Sequence, residues 1–168
     1  MPSDPDDDRG SDLLALLAAD HNRIVRLLNE AAPPADVARE VAMHLSAETQ
    51  LLYREVRNET PADELLDRAL EVDHRIELLA EALDIGRTDS FADLDAAFAE
   101  HVRLQEEELF PRLRSFVSED RLLKLGGALE TVMRMAPTHP HPHGPDEGST
   151  NVLSDAISSI VDHLFRRK

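Results

Sequence analysis

Apolar residues recur every three or four positions along most of residues 12–135, which is the period of an amphipathic α-helix. Pro33 and Pro34 are expected to end the first helix, Ser90 to cap the fourth, and Pro111 to kink or divide the fourth. The pattern predicts helices over residues 12–32, 35–57, 62–83, 91–116 and 119–135. We therefore expect an all-α fold, an antiparallel up-down four-helix bundle with additional C-terminal helices.

The two ends of the chain differ in composition from the helical part. Residues 1–10 are acidic and contain proline, which predicts disorder, and residues 11–135 form the predicted bundle. Residues 136–150 are rich in Pro, Gly and His and are expected to be an extended linker. Its histidines, His139, His141 and His143, are either part of a tether or a weak surface metal site. Residues 151–168 predict a short amphipathic helix that docks on the bundle or on a protein partner.

Composition excludes several classes of function. The 168 residues carry 34 acidic and 18 basic side chains, a net charge of −16, which disfavours binding to nucleic acid and to anionic membranes. The acidic N-terminus does not resemble a signal peptide and no apolar run is long enough for a membrane span, so the expected location is the cytoplasm. Because the chain has no cysteine, any metal ligands must be histidines and carboxylates.

Four histidines give the sequence its clearest chemistry. His21, His44, His74 and His101 lie one each near the middle of four successive predicted helices. Glu48 follows His44 by four residues, so both side chains leave the same face of the helix. A single core histidine is more often hydrogen-bonded to a backbone carbonyl, but four together with a carboxylate favour a dinuclear metal site. This ligand chemistry suits non-haem iron, and also manganese or zinc.

The runs ADHNRI, HLSAETQLLY, VDHRI and HVRLQEEELFP occur in an order and at separations that resemble hemerythrin-like (HHE cation-binding) domains, over about residues 12–116. The resemblance implies a four-helix bundle that holds two non-haem irons, with an oxo or hydroxo group between them. It also implies a ligand set carried over to this chain: His21, His44, Glu48, His74 and His101.

The run after His101 departs from the family pattern. Many members have Glu four residues after this histidine, whereas this chain has Gln105 followed by Glu106. Gln105 shares the face of His101 but is neutral, and a neutral amide is a poor bridge between two cations. Glu106 stands about 140° around an ideal helix, so it reaches the site only if the helix is locally distorted, for example by a π-bulge. Some members use a carboxylate at this fifth position, so Glu106 is predicted to bridge the irons together with Glu48.

The third helix departs as well. Oxygen-carrying hemerythrins have an additional histidine one turn from the position of His74, but this chain has Leu70 and Leu78 there. Glu71 and Glu77 lie within a turn of His74, although a solvated Glu is the commoner role for such residues. The irons would then keep open positions for water, peroxide or another small ligand.

Three functions fit this sequence. The first is a diiron protein that binds, senses or buffers oxygen, a related small ligand or iron. The second is an enzyme that decomposes peroxide at the irons. The third is a helical interaction module whose metal site has decayed, as Gln105 suggests, and which binds a protein partner. The resemblance to hemerythrin-like domains favours a metal- and ligand-binding protein over an enzyme.

Overall fold

The computed structural model describes residues 10–60 and 63–135, and all regular structure within them is helical. The helices are α1 (Leu13–Asn29), α2 (Pro34–Ala47), α3 (Tyr53–Glu59), α4 (Glu64–Asp84), α5 (Phe91–Leu104), α6 (Phe110–Phe116) and α7 (Glu119–Met135). Two π-helical turns, Glu48–Leu52 and Gln105–Leu109, join α2 to α3 and α5 to α6. The predicted disordered N-terminus falls almost wholly outside the described residues, and the linker and C-terminal helix fall wholly outside them.

Aspartate side chains cap the N-termini of two of the long helices. Asp12 caps α1 by accepting a hydrogen bond from the backbone N–H of Ala15, at 2.8 Å. Asp63 caps α4 by accepting from the first N–H groups of that helix, which no backbone carbonyl can satisfy. Ser90 makes no such bond, because its backbone is already helical at the end of a short 3₁₀ turn, Thr88–Ser90. Ser90 therefore lies at the predicted N-cap position, but its side chain makes no capping hydrogen bond.

Four helices surround one apolar core. α1 packs against α2 and α5, and α4 packs against the same two, while α7 packs on α1. Leu17, Val41, Ile76 and Phe98 are among the fully or almost fully buried core residues. Burial of each large apolar side chain contributes about 1.5–3 kcal/mol relative to exposure. The predicted all-α class is confirmed, and the contacts are those of a helix bundle.

The two π turns change how the long helices run. Each is closed by a backbone bond that spans five residues, from the N–H of Tyr53 to the carbonyl of Glu48 and from that of Phe110 to Gln105. Pro111 stands in the first turn of α6, directly after the second π turn. The missing N–H of Pro111 leaves a carbonyl of the preceding turn without its helical donor, at the point where the π turn already alters the regular hydrogen-bond pattern. The helix over residues 91–116 is continuous and passes through this π turn.

Candidate metal centre

Three histidines and one glutamate converge in the core of the bundle. They come from three helices and the first π turn, and all four are buried: His21, His44, Glu48 and His101. His21 Nε2 lies 3.5 Å from Glu48 Oε1, His44 Nε2 lies 3.0 Å from it, and His101 Nε2 lies 3.4 Å from it. The Nε2 atoms of His44 and His101 are 3.3 Å apart. Four potential metal donors therefore face one another across a few ångströms.

These distances suit a single metal ion. Ligand atoms around a tetrahedral ion with bonds of about 2.0–2.2 Å are roughly 3.3–3.6 Å apart. The three distances to Glu48 Oε1 and the distance between His44 and His101 are 3.0–3.5 Å, close to this spacing, and all four donor atoms lie within 4.8 Å of one another. His21 Nε2 and Glu48 Oε1 are also buried without a hydrogen-bond partner, although buried polar atoms are nearly always satisfied. A cation among the four residues would satisfy both atoms.

Each of the three imidazoles is held from behind by a carboxylate. The Nδ1 atoms contact oxygens at 2.8 Å (His21 with Glu106), 2.9 Å (His44 with Asp20) and 2.7 Å (His101 with Asp73). A carboxylate on one ring nitrogen fixes the ring orientation and leaves the other nitrogen directed at the metal. Asp20 is itself held by Arg23, whose guanidinium lies 2.6 Å away and also pairs with Glu40. The donor atoms are thus pre-oriented by the folded chain.

In the metal-free protein, protons on two of the histidines balance the negative charge of the buried glutamate. Burial opposes a charge on His44, but Glu48 and the hydrogen bond with Asp20 outweigh it and raise the pKa to about 9. Burial acts the same way on His101, whose pKa is raised to about 10 by Glu48 and Asp73. Burial disfavours the Glu48 carboxylate, yet His44 and His101 hold its pKa well below the usual value. At neutral pH the site therefore contains Glu48 ionised between two imidazolium rings.

Metal binding is expected to release two protons near pH 7.5, one from His44 and one from His101. Both pKa values lie above this pH, whereas a metal ligand must be a neutral imidazole, and Glu48 is already ionised. Apparent affinity should therefore rise with pH until the two histidines lose their protons in the metal-free state. Calorimetric titration with Zn²⁺ in buffers of different ionisation enthalpy measures the proton count. Release of no protons would contradict the described charge state.

The structure places His74 outside the group, contrary to the expectation that it is a ligand. Its side chain is 71 % exposed and lies 3.7 Å from Glu77 on the same helix. The buried side of α4 is a stripe of mostly small and apolar residues: Leu66, Ala69, Val72, Asp73, Ile76, Ala80 and Leu83. Successive residues of a helix differ by about 100°, so burial of Asp73 turns His74 towards solvent. Glu77 is exposed with it and does not enter the group.

A pair of histidine variants tests this assignment. His101→Ala is expected to weaken metal binding by more than about 100-fold, because even the outer partners of a ligand typically contribute 10–100-fold. His74→Ala is expected to leave affinity unchanged, since the exposed ring touches none of the four donors. Competition with a chromophoric chelator measures both. A loss of affinity in His74→Ala would restore the ligand role that the sequence predicted.

Glu106 also departs from its predicted role as a bridging ligand. A π turn is present at Gln105–Leu109, as the predicted role of Glu106 required. Glu106 is nevertheless 38 % exposed, and Oε1 contacts the outer nitrogen of His21 rather than the donor side. Gln105, one residue earlier, is the fully buried member of the pair. Glu106 therefore orients His21 and is not among the four converging donors.

Tyr53 connects the glutamine to the rest of the site. Its hydroxyl lies 2.5 Å from Asp73 Oδ2, 2.8 Å from Gln105 Nε2 and 3.4 Å from Glu48 Oε2. Burial and the negative charges of Glu48 and Asp73 raise the pKa of Tyr53 well above 10. The phenol is therefore protonated and donates to Asp73. Tyr53 is fully buried in the core, and its hydroxyl connects Gln105 with Asp73.

Asp20 and Asp73 are site residues that were not predicted from the sequence. Each directly precedes a histidine, in ADHNRI and VDHRI, but holds a histidine of another helix. Asp20 holds His44 on α2, and Asp73 holds His101 on α5. The repeated Asp-His pair was the available signal. Sequence neighbours on a helix point in different directions, so the pair indicates contacts between helices.

Comparison of the chain with protein-family models, with curated proteins and with solved structures gave no significant match. Within residues 10–60 and 63–135, no helix combines the length and the apolar character needed to cross a membrane. The four converging donors and their outer carboxylates are therefore the observations from which a function can be argued.

Proposed function

We propose that the protein binds one non-haem metal ion through His21, His44, His101 and Glu48. Its function is then either to bind a small ligand at this ion or to hold the ion itself. The observation that carries this proposal is the convergence of the three Nε2 atoms on Glu48 Oε1, with two of these buried atoms lacking any other partner. When bound, such an ion supplies a positive charge and open coordination positions. The chain supplies four donors and three carboxylates that orient the rings.

Iron is the metal we propose first. Imidazole and carboxylate ligands without thiolate are compatible with iron, zinc and manganese. The resemblance of the four histidine-containing runs to hemerythrin-like domains favours iron among these, and with it oxygen or a related small molecule as the ligand. We propose an antiparallel up-down arrangement of the four helices on the ground of the same resemblance.

The residues favour one ion over the pair expected from that resemblance. Within the described residues, the donors form a single group. Carboxylates that would serve a second ion are already engaged, Glu106 on His21 and Asp73 on both His101 and Tyr53. Gln105 brings no charge where the family commonly has Glu. A second cation would thus have to displace the groups that orient the first set of ligands.

Metal content tests the proposal directly. Protein purified without a histidine tag and loaded with Fe²⁺ under anaerobic conditions is expected to retain about one iron per chain, the number that four donors can serve. A parallel preparation carries alanine at His139, His141 and His143, so that an ion held by that tract is not counted. Two tightly held irons would favour the dinuclear site. No retained iron, zinc or manganese would favour the interaction module.

The two other functions stay predictions. Peroxide decomposition is tested by oxygen evolution from the iron-loaded protein, with Glu48→Gln as the control. The interaction module requires a site that has lost its metal affinity. Three histidines that carboxylates orient towards Glu48 support the metal-binding proposal instead, because His21 Nε2 and Glu48 Oε1 are buried without a hydrogen-bond partner, whose place a cation would take.

A further inference from the structure

Gln105 carries the third buried polar atom without a partner. Its side chain is fully buried at the start of the second π turn, and Oε1 accepts no hydrogen bond. Leaving a buried acceptor unsatisfied costs about 1–3 kcal/mol. The other two unpartnered atoms, His21 Nε2 and Glu48 Oε1, are potential metal donors. The Tyr53 hydroxyl lies between Gln105 and Glu48, at 2.8 Å from the amide nitrogen of Gln105 and 3.4 Å from Glu48 Oε2.

The orientation of the Gln105 amide follows from the hydrogen bonds around it. Asp73 accepts from His101 through one oxygen and from the Tyr53 hydroxyl through the other. Because that hydroxyl spends its only hydrogen on Asp73, it can only accept from Gln105, so the NH₂ group must face it. The carbonyl oxygen is consequently held away from Tyr53 and presents a fixed, unused acceptor within the core.

We infer that Gln105 Oε1 is a specificity-determining acceptor for the small ligand of the metal site. It would favour a ligand that carries a hydrogen-bond donor, such as water, hydroxide or a hydroperoxide, over a ligand that has only acceptor atoms. A carboxylate at this position would compete with the small ligand for the metal. An amide can accept a hydrogen bond from the ligand without competing strongly for the metal. The inference rests on the proposed function, and it names the class of ligand that the site prefers.

Two small ligands of matched shape separate donor-bearing from acceptor-only binding. Azide and cyanamide are both linear with three heavy atoms, but only cyanamide has N–H groups. The protein is loaded with Co²⁺, and each ligand is titrated while the visible absorption of the cobalt is followed. Gln105→Met keeps the length of the side chain but has no comparable acceptor. The matched control is Gln50→Met in the first π turn, where the amide nitrogen donates to the Ser46 hydroxyl at 3.3 Å.

The ratio of the two affinities is the measured quantity. Loss of one hydrogen bond is expected to lower the preference for cyanamide about five- to tenfold in Gln105→Met, with Co²⁺ affinity unchanged. The control should match the unmutated protein. Tyr53→Phe provides a second variant, because without the hydroxyl the amide is free to turn and the preference should also fall.

Three results would overturn the inference. An unchanged ratio in Gln105→Met and Tyr53→Phe would show that the carbonyl does not contact the ligand, and failure of both ligands to bind would show that the site accepts none. A drop in Co²⁺ affinity of about tenfold or more in Gln105→Met would make Gln105 a metal ligand instead. By contrast, absence of Co²⁺ binding by the unmutated protein refutes the proposed function itself.

Discussion

Glu48→Gln is expected to weaken metal binding by more than about 100-fold, since outer partners of metal ligands alone contribute 10–100-fold. Glu48 is the only carboxylate among the four converging donors, and its Oε1 faces all three Nε2 atoms. Glutamine keeps the size of the side chain but removes the negative charge that a buried cation requires. Calorimetric titration with Zn²⁺ and with Fe²⁺ under anaerobic conditions measures the loss.

Glu107→Gln is the matched control for this experiment. It makes the same chemical change in the second π turn, at a side chain that is 67 % exposed and touches none of the donors. Its metal affinity should equal that of the unmutated protein. Circular dichroism shows whether both variants keep their helices. A helical Glu48→Gln that binds metal normally would place the ion somewhere other than this group.

Gly126→Ala is expected to destabilise the protein by about 1–3 kcal/mol, the usual cost of forcing an atom into a packed site. A Cβ at position 126 of α7 would lie only 2.1 Å from the backbone carbonyl oxygen of Ser11, just before α1. The obstacle is backbone rather than a flexible side chain, so α7 must shift away from α1 to admit the methyl group. Urea denaturation followed by circular dichroism measures the change in free energy of unfolding.

The adjacent glycine provides the opposite result. A Cβ at Gly127 would meet no atom within 4 Å, so Gly127→Ala is expected to stabilise the protein by about 0.5–1 kcal/mol through the better helix propensity of alanine. Equal effects of the two substitutions would show that α7 does not dock against the start of α1 as described. The sequence does not distinguish these two glycines, because they differ only in how α7 packs.

Hydrophobic periodicity predicted the helices well because each one buries a continuous face. The fifth predicted helix, residues 119–135, coincides with α7, and the first three differ from the structure by a few residues at their ends. Helix ends depend on local capping, which the apolar pattern does not encode. The role of Asp63 as the N-cap of α4 was therefore not predicted.

His74 was misplaced because large apolar residues were given more weight than small ones. Leu70, His74 and Leu78 share a face by spacing, yet Leu78 is 54 % exposed. The buried stripe of α4 instead includes Ala69 and Ala80, which allow close approach of neighbouring helices. Counting alanine as a core residue rotates the predicted face by roughly one position and places Asp73 inside.

The roles of Gln105 and Glu106 could not be decided from the sequence, because they depend on the local width of the helix. The spacing from His101 favoured Gln105 for geometry and Glu106 for charge. The structure gives Gln105 the buried position and uses Glu106 to hold His21 from the outside. Carboxylates that orient histidines come from other helices, so only the packing of the bundle could identify them.

The π turns also explain a run of four-residue spacings. His101, Gln105, Leu109 and Leu113 are all buried, and a regular α-helix would drift by about 40° at each such step, soon leaving the core. The wider π turn compensates for this drift. The segment before it therefore keeps its donor residue facing the core, and the segment after it keeps its apolar residues facing the core. His44, Glu48, Leu52 and Val56 repeat the arrangement. The two turns are thus the places where the chain can gain or lose one residue while each half keeps its buried face.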